Sequence, residues 1–412
     1  MSRRDNNLIV GLDIGTTKIC AIAGQMSEDG IEIIAASSNP SGGMRKGVVI
    51  DIETAAQSIR KAVAGITEQT GVPVEDAYVG IAGSHIKSFH SYGAVGIKGR
   101  EVTRSDVERA IDSASAMYVP VDRETIHVLP TDFILDGQSG IKDPAGMTGS
   151  RLEVKVYIIT GALPSVQNLL KCCERAGINV IDIVLQPLAS SEATLTEDER
   201  DMGIALVDIG GGTTDIAVYK GGWLVHASVI GVGGNHVTND ISVGLRLSFQ
   251  EAERIKKAYG SAMLSDINDL SEIDAVSIDG QVRGIPRKYL IEVIHPRANE
   301  MLETIASEIE SIQEGGISVG GVVLTGGASL LKGFGSVAEA VLSMPVRIGY
   351  PAFSADQRYS GSSVGEFNSP VYSTGVGLVM YAAQAGSSGG AGHFVDRVLS
   401  AMTGWFRSIV GK

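Results

Sequence analysis

The chain has 412 residues, 44% of them hydrophobic and 20% charged, with a formal charge of −13; it can bury more than one core and offers no basic stripe for nucleic acid. Its three cysteines, Cys20, Cys172 and Cys173, are odd in number and two are adjacent, which argues against a disulfide framework and for a reducing, cytoplasmic setting. The seven histidines show no metal spacing, Asp13 interrupts the N-terminal apolar run before a signal-peptide core forms, and no run of about 18 apolar residues exists to span a bilayer.

The first predicted element is NLIVGLDIGTTKICAIAG, residues 7–24: an apolar strand, an acid, a glycine and hydroxyl turn, and a second apolar strand. This reads as a β-hairpin. A helix follows over 54–71, then the strand-like YVGIAGSHI at 78–86. Residues 85–163 read as a small α/β subdomain inserted into a first lobe formed by 1–84 and 164–200. The insert holds the helix SDVERAIDSASAMYV, with Ser105 and Glu108 as its expected capping box, and strand-like patches between Thr125 and Leu135. After the strand-like VYIITGALP at 156–164, the helix 165–177 has Gly177 as its stop.

GIALVDIGGGTTDIAVYKGG, residues 203–222, repeats the first hairpin. Two copies, each near the start of its half, predict two related lobes of sheets covered by helices, the second lobe comprising 201–238 and 318–384. Residues 239–317 read as a helical, polar subdomain, with helices over 249–260 and 288–312 and Pro296 expected to bend or break the latter. Strand and loop return with ISVGGVVLTGGASLLKGFG. The segment 385–393, almost wholly Ala, Gly and Ser, is expected to be a flexible linker with a reach of about 16 Å.

Beyond the linker, 394–412 has a two-faced helical pattern. Phe394, Val398, Leu399, Met402, Trp405, Phe406, Ile409 and Val410 fall on one side, while Arg397, Arg407 and Lys412 supply charge opposite in sign to the body of the chain. The expected placement is in an anionic phospholipid surface, touched from the side. A partner's groove and docking onto the parent fold are the alternatives.

The paired turns have the chemistry of a phosphate site. Gly15, Thr16, Thr17 and Lys18 offer close backbone approach, hydroxyl donors and a positive charge, and Gly210, Gly211, Gly212, Thr213 and Thr214 repeat the arrangement. Asp13, Asp208 and Asp215 would repel phosphate unless they hold a hydrated Mg²⁺. Gly326, Gly327 and Ala328 stand after a strand and before a helix whose N-terminus can face phosphates, and Gly233 and Gly234 offer the same close approach. Glu253, Lys256 and Lys257 share a helix face that can reach ribose and base; the alternative for them is a solvated, salt-bridged surface.

Hairpin, hairpin and GGAS turn in this order resemble the ATPase fold shared by actin, MreB, sugar kinases and heat-shock chaperones. Within it, GLDIGTTKICAIAG, VDIGGGTTDIAVY, LTGGASLLKG, the position of the insert and the terminal helix are similar, end to end, to the FtsA family of bacterial cell-division proteins. The resemblance implies an α/β, actin-like two-lobed ATPase fold that holds ATP or ADP with Mg²⁺ between its lobes. It also implies head-to-tail filaments of this chain on the cytoplasmic face of the inner membrane at the division site. These would tether FtsZ through its C-terminal peptide, held near Arg287, Arg297 and Glu300, and recruit later division proteins. Gln186 in VLQPLASSEA occupies the place where related chaperones have a water-orienting glutamate. An amide positions water but takes no proton, so slow hydrolysis or none is expected. A pilus-type actin-like adaptor and an ATP-consuming kinase or chaperone remain as other readings.

Overall fold

The computed structural model describes residues 8–27, 30–116, 119–268, 271–351 and 367–387. The first lobe opens with a meander of β1 (Leu8–Ile14), β2 (Lys18–Ser27) and β3 (Gly30–Pro40). A short hairpin, β4 (Met44–Arg45) and β5 (Val48–Val49), leads into α1 (Ile52–Thr70) and then β6 (Asp76–Ile81), which lies parallel to β1. Helix α1 begins where the Asp51 carboxylate accepts the Glu53 and Thr54 N–H groups and stops at Gly71, left-handed at φ 70°.

The insert is a four-stranded antiparallel sheet with one helix: β7 (Ile86–Glu101), α2 (Arg104–Ser115), β8 (Arg123–Leu135), β9 (Gln138–Ile141) and β10 (Thr148–Ala162), in spatial order β7-β10-β8-β9. The two patches expected between Thr125 and Leu135 are one strand. The expected capping box also shifts by two residues: Thr103 caps α2 and Asp106, not Glu108, returns the bond. Burial decides it. Asp106 is 1% exposed and gathers Thr103, Arg100 at 2.7 and 2.8 Å, and Arg109, which together hold its carboxyl far below the usual range. Asp106→Ala is therefore expected to destabilise the insert by about 2 kcal/mol in urea unfolding at pH 7. Because the folded pKa is depressed, this contribution is present above about pH 4 and lost below it, so wild type and variant should converge on acidification.

The first lobe resumes with α3 (Leu163–Ala176), ended by Gly177 at φ 82°, then β11 (Asn179–Leu185), α4 (Gln186–Thr194) and the short α5 (Glu197–Met202). Its sheet runs β11-β6-β1-β2-β3. The second lobe begins with β12 (Ile204–Ile209), β13 (Thr214–Lys220) and β14 (Trp223–Ile230). Its subdomain holds α6 (Gly234–Leu245), α7 (Phe249–Tyr259), β15 (Glu272–Val276), β16 (Val282–Pro286) and α8 (Arg287–Glu314). The lobe closes with β17 (Val322–Thr325), α9 (Phe334–Leu342), β18 (Val346–Ile348) and α10 (Ser373–Ser387). Its sheet, β14-β13-β12-β17-β18, repeats the first: a three-strand antiparallel meander whose first strand continues on its other side into two further strands, each parallel to the one before. The duplication read from the two hairpins thus extends through both lobes.

Three local expectations change. The subdomain 239–317 carries the hairpin β15–β16 among its helices. Pro296 does not end α8, which continues to Glu314; Leu290, Ile291, Ile294, Ala298, Met301 and Leu302 are buried on both sides of the proline, and that packing outweighs the one lost backbone bond. Helix α10 runs to Ser387, into the start of the expected linker. The rest of the linker and the predicted helix 394–412, from Phe394 to Lys412, lie outside the described residues.

Each lobe has its own apolar core, and a further core joins them, with Val184, Leu185, Leu188 and Ala189 meeting Leu206, Ala217, Val323 and Leu378. The insert also touches the second lobe. Tyr157 Oη accepts the Ala227 N–H of edge strand β14 at 2.7 Å, and Trp223 packs against the insert's core.

Candidate nucleotide cleft between the lobes

The two hairpin turns have one geometry. Gly15 N–H donates to Lys18 O, and Gly210 N–H to Thr213 O, each at 3.0 Å. In register, Asp13 faces Cys20 and Asp208 faces Asp215 across their respective hairpins. The turns touch each other across the lobes: a Cβ on Gly211 would lie 1.8 Å from Thr17 Oγ1, and one on Gly212 would lie 2.9 Å from Thr16 Cγ2. Glycine here lets each backbone lie directly against a threonine side chain of the opposite turn; any larger residue would force that contact to shift.

Beneath the turns lie three buried carboxylates. Asp13 accepts from Gln186 Nε2 at 3.0 Å, and its pKa is raised to about 6 by burial, with Lys18 opposing and Asp208 reinforcing the shift. Asp208 accepts from Ser190 Oγ at 2.7 Å and Thr374 Oγ1 at 3.2 Å, and burial raises its pKa too. Asp215 Oδ1 is buried without any partner; burial, then the charges of Asp208 and Asp13, push its carboxyl well above the usual range. Such a concentration of unbalanced negative charge fits a divalent cation. No three His, Cys, Asp or Glu side chains among the described residues are arranged to grip an ion directly. The residues therefore suit Mg²⁺ held through its water shell and a ligand's phosphates, as the carboxylate chemistry suggests.

The remaining predicted residues are distributed unevenly. Gly234 and Asn235, opening α6, donate their N–H groups to Gly210 O and Gly211 O at 2.9 and 2.8 Å, and a Cβ on Gly233 would meet Gly210 O at 2.7 Å. A Cβ on Gly234 would lie 3.1 Å from that of Ala328, so the GGAS turn faces the start of α6. Gly326 takes φ 82°, where a Cβ would strike the Asp208 carboxylate; Gly327 begins a single 3-10 turn ending at Leu330, and the α-helix starts later, at Phe334. Thr214 Oγ1 is tied to Val232 O at 2.8 Å.

Glu253 pairs with Lys256 at 2.7 Å and Lys257 at 3.2 Å. Lys256 is half-buried and bonds Gly234 O and Thr238 Oγ1, beside the glycine turns, whereas Lys257 is exposed. Lys18 turns its ammonium onto Val371 O and over the Tyr372 ring at 4.9 Å. Away from the cleft, Arg287 bonds Tyr259 O at 2.9 Å, and Arg297 is held by Asp240 at 2.5 Å and Glu300 at 2.7 Å, so these charges already have acids or carbonyls beside them.

Sequence reasoning missed the residues that hold the acids in place. Ser190 lies four residues after Gln186 on α4, and Thr374 opens α10; neither had a signal in its own segment. Nor was there one for His127 of the insert, which is 3% exposed and accepts the Leu185 N–H at 3.0 Å, one residue before Gln186. Burial lowers its pKa to about 4, so Nε2 stays free to accept.

The family model described as cell division protein FtsA covers residues 205–377, and that of the SHS2 domain inserted in FtsA covers 83–160, close to the insert bounds of 85–163. A Pseudomonas aeruginosa protein described as cell division protein FtsA is 42% identical over 392 residues, spanning 94% of this chain and 92% of its own. The chain belongs to the FtsA family. As an FtsA-family chain it is an actin-like cell-division protein, and solved structures agree on the fold. The type IV pilus PilM–PilN complex aligns with TM-score 0.66 at 16% identity, over 91% of this chain and 98% of the other. MreB5 of Spiroplasma citri bound to ADP aligns with TM-score 0.54 at 14% identity, over 93% and 99%. No helix among the described residues is long and apolar enough to cross a membrane.

Proposed function

We propose that this chain binds ATP with Mg²⁺ in the cleft between its two lobes, polymerises head to tail on the cytoplasmic face of the inner membrane, and tethers FtsZ filaments there during division. The observation that carries the nucleotide reading is the unpartnered, buried Asp215 carboxylate beside Asp13 and Asp208, beneath two glycine turns that repeat each other. Mg²⁺ and its phosphates would supply the positive charge and ligand oxygens that this cluster lacks. Asp13, Asp208 and Asp215 would hold the ion's waters, the glycine turns would take the phosphates, and Lys256 and Glu253 would face the nucleoside. Gln186 keeps an amide near Asp13 and has no basic group to take a proton from water, which supports a nucleotide-responsive scaffold over a rapid ATPase. FtsA-family membership supports the division role; contact with FtsZ through the neighbourhood of Arg287, Arg297 and Glu300, and recruitment of later division proteins by the insert, are part of the same proposal.

Membrane attachment rests on the residue pattern of 394–412. One interfacial helix binds lipid weakly, but helices lined up on a filament meet the surface at high effective concentration, raising avidity by about 10²–10⁴. Deletion of 394–412 is expected to move the protein from the vesicle fraction to the soluble fraction in flotation with anionic liposomes. Undiminished flotation of the truncated chain would rule out this anchor. A polymerisation-defective variant with the tail intact should float less than wild type; equal flotation would sever the link between assembly and attachment.

A further inference from the structure

The tip of the β4–β5 hairpin is built unlike an ordinary turn of its type. Arg45 pairs with Val48, leaving Lys46 and Gly47 as the two turn residues, at φ 49° and 75°. Two consecutive left-handed residues make the mirror-image turn that favours Asn or Asp followed by Gly. Lysine at the first position is strained, and strain held in place by its surroundings directs attention to what the side chain does.

Those surroundings are the cleft. Gly47 N–H donates to Thr16 Oγ1 of the first phosphate turn at 3.1 Å. A Cβ on Gly47 would lie 2.6 Å from Ala82 O, so the tip is wedged between that turn and the end of β6. From this anchored position Lys46 crosses to the second lobe: a Cβ on Gly231 would stand 3.7 Å from its Nζ, two residues before Gly233. Lys46 is exposed and no acid among the described residues pairs with it. By contrast, Lys256 pairs with Glu253 and Lys18 is taken by Val371 O.

We propose that Lys46 is the residue that distinguishes nucleoside triphosphate from diphosphate, its ammonium meeting the terminal phosphate where the lobes come together. The inference rests on the nucleotide reading of the cleft and adds to it a cation fixed to the first lobe and laid against the second. A triphosphate carries its last phosphoryl group to the place both lobes can touch, and a diphosphate is one group shorter. Lys46 is thus a specificity residue and a latch that makes lobe closure depend on the terminal phosphate.

The test is calorimetric titration of the full chain with Mg²⁺ and either AMPPNP or ADP. Lys46→Asn is the main variant, because asparagine suits the turn better than lysine and removes the charge without loosening the hairpin. AMPPNP affinity is expected to fall about tenfold, as for one charge-assisted hydrogen bond, with ADP affinity within about twofold of wild type. Lys46→Ala should behave alike, Lys46→Arg should retain most of the preference, and Arg45→Ala, one residue away, should leave both affinities unchanged. If both nucleotides bind Lys46→Asn as they bind wild type, or weaken together, Lys46 is not the discriminator. Wild-type protein that bound neither nucleotide would overturn the cleft reading and this inference with it.

Discussion

Asp13→Asn is expected to bind Mg²⁺–nucleotide at least about a hundredfold more weakly than wild type and, in nucleotide-free buffer with EDTA at pH 8, to be more stable than wild type. Both effects have one source. Asp13 is 8% exposed, and burial raises its pKa to about 6, with Asp208 adding to the rise and Lys18 opposing it. The native state therefore holds the proton more tightly than the unfolded chain. The group's contribution to stability is most favourable at and below about pH 4 and is lost as pH rises through about 6, a penalty on the order of 3 kcal/mol at pH 8. Asparagine keeps an oxygen for Gln186 while removing the charge.

Other groups titrate in the opposite sense. Burial lowers the His127 pKa to about 4, which adds stability as pH rises through the unfolded value of 6.5. The quantity to read is therefore the wild-type minus variant difference in urea unfolding at pH 5 and pH 8. The variant's advantage should grow with pH and shrink by about 2.7 kcal/mol when saturating Mg²⁺–nucleotide is added, since a hundredfold tighter complex stabilises wild type by that much more. An Asp13→Asn protein that is less stable at pH 8, or binds nucleotide normally, would show that the carboxylate cluster is not a cation site.

The second large effect is steric. Gly377 of α10 lies against α4 so closely that a Cβ would be 1.8 Å from Ala189 O and 2.4 Å from Ala189 C. Helix propensity alone favours Gly→Ala by up to about 1 kcal/mol. Here the overlap is with backbone, which no rotamer change relieves, so overpacking wins and Gly377→Ala is expected to cost about 3 kcal/mol net. Gly335 of α9 is the control: its Cβ would meet Ile348 Cδ1 at 3.4 Å, an ordinary contact, so Gly335→Ala should be neutral or stabilising. Because α4 carries Gln186 and Ser190, which hold Asp13 and Asp208, displacement of α4 should also weaken nucleotide binding. Equal stability of Gly377→Ala and wild type would mean that α4 and α10 can part without cost.

The alternation of apolar strand, acid and glycine turn was legible because it is local: strand period and turn chemistry are properties of adjacent residues. The same reasoning located both hairpins, the insert, and the Gly71 and Gly177 regions as helix ends. It placed the α2 cap two residues late because both Thr103 and Ser105 satisfy the spacing rule, and only burial of Asp106 separates them. It also expected Pro296 to bend or break α8, and the helix runs through it unbroken, since that reading could count the lost hydrogen bond but not the apolar residues packed around it.

By itself the sequence determined the duplicated strand pattern, the glycines where backbone must come close to backbone or ligand, and the acids that sit beside them. Tertiary structure alone decided which groups meet across long stretches of chain: Ser190 and Thr374 on Asp208, His127 on the Leu185 amide, Tyr157 on β14, and Lys46 against Gly231. The physical reason is range. Turn and strand preferences are set by neighbours in sequence, whereas the charge state and partners of a buried group depend on what the fold brings around it from elsewhere in the chain.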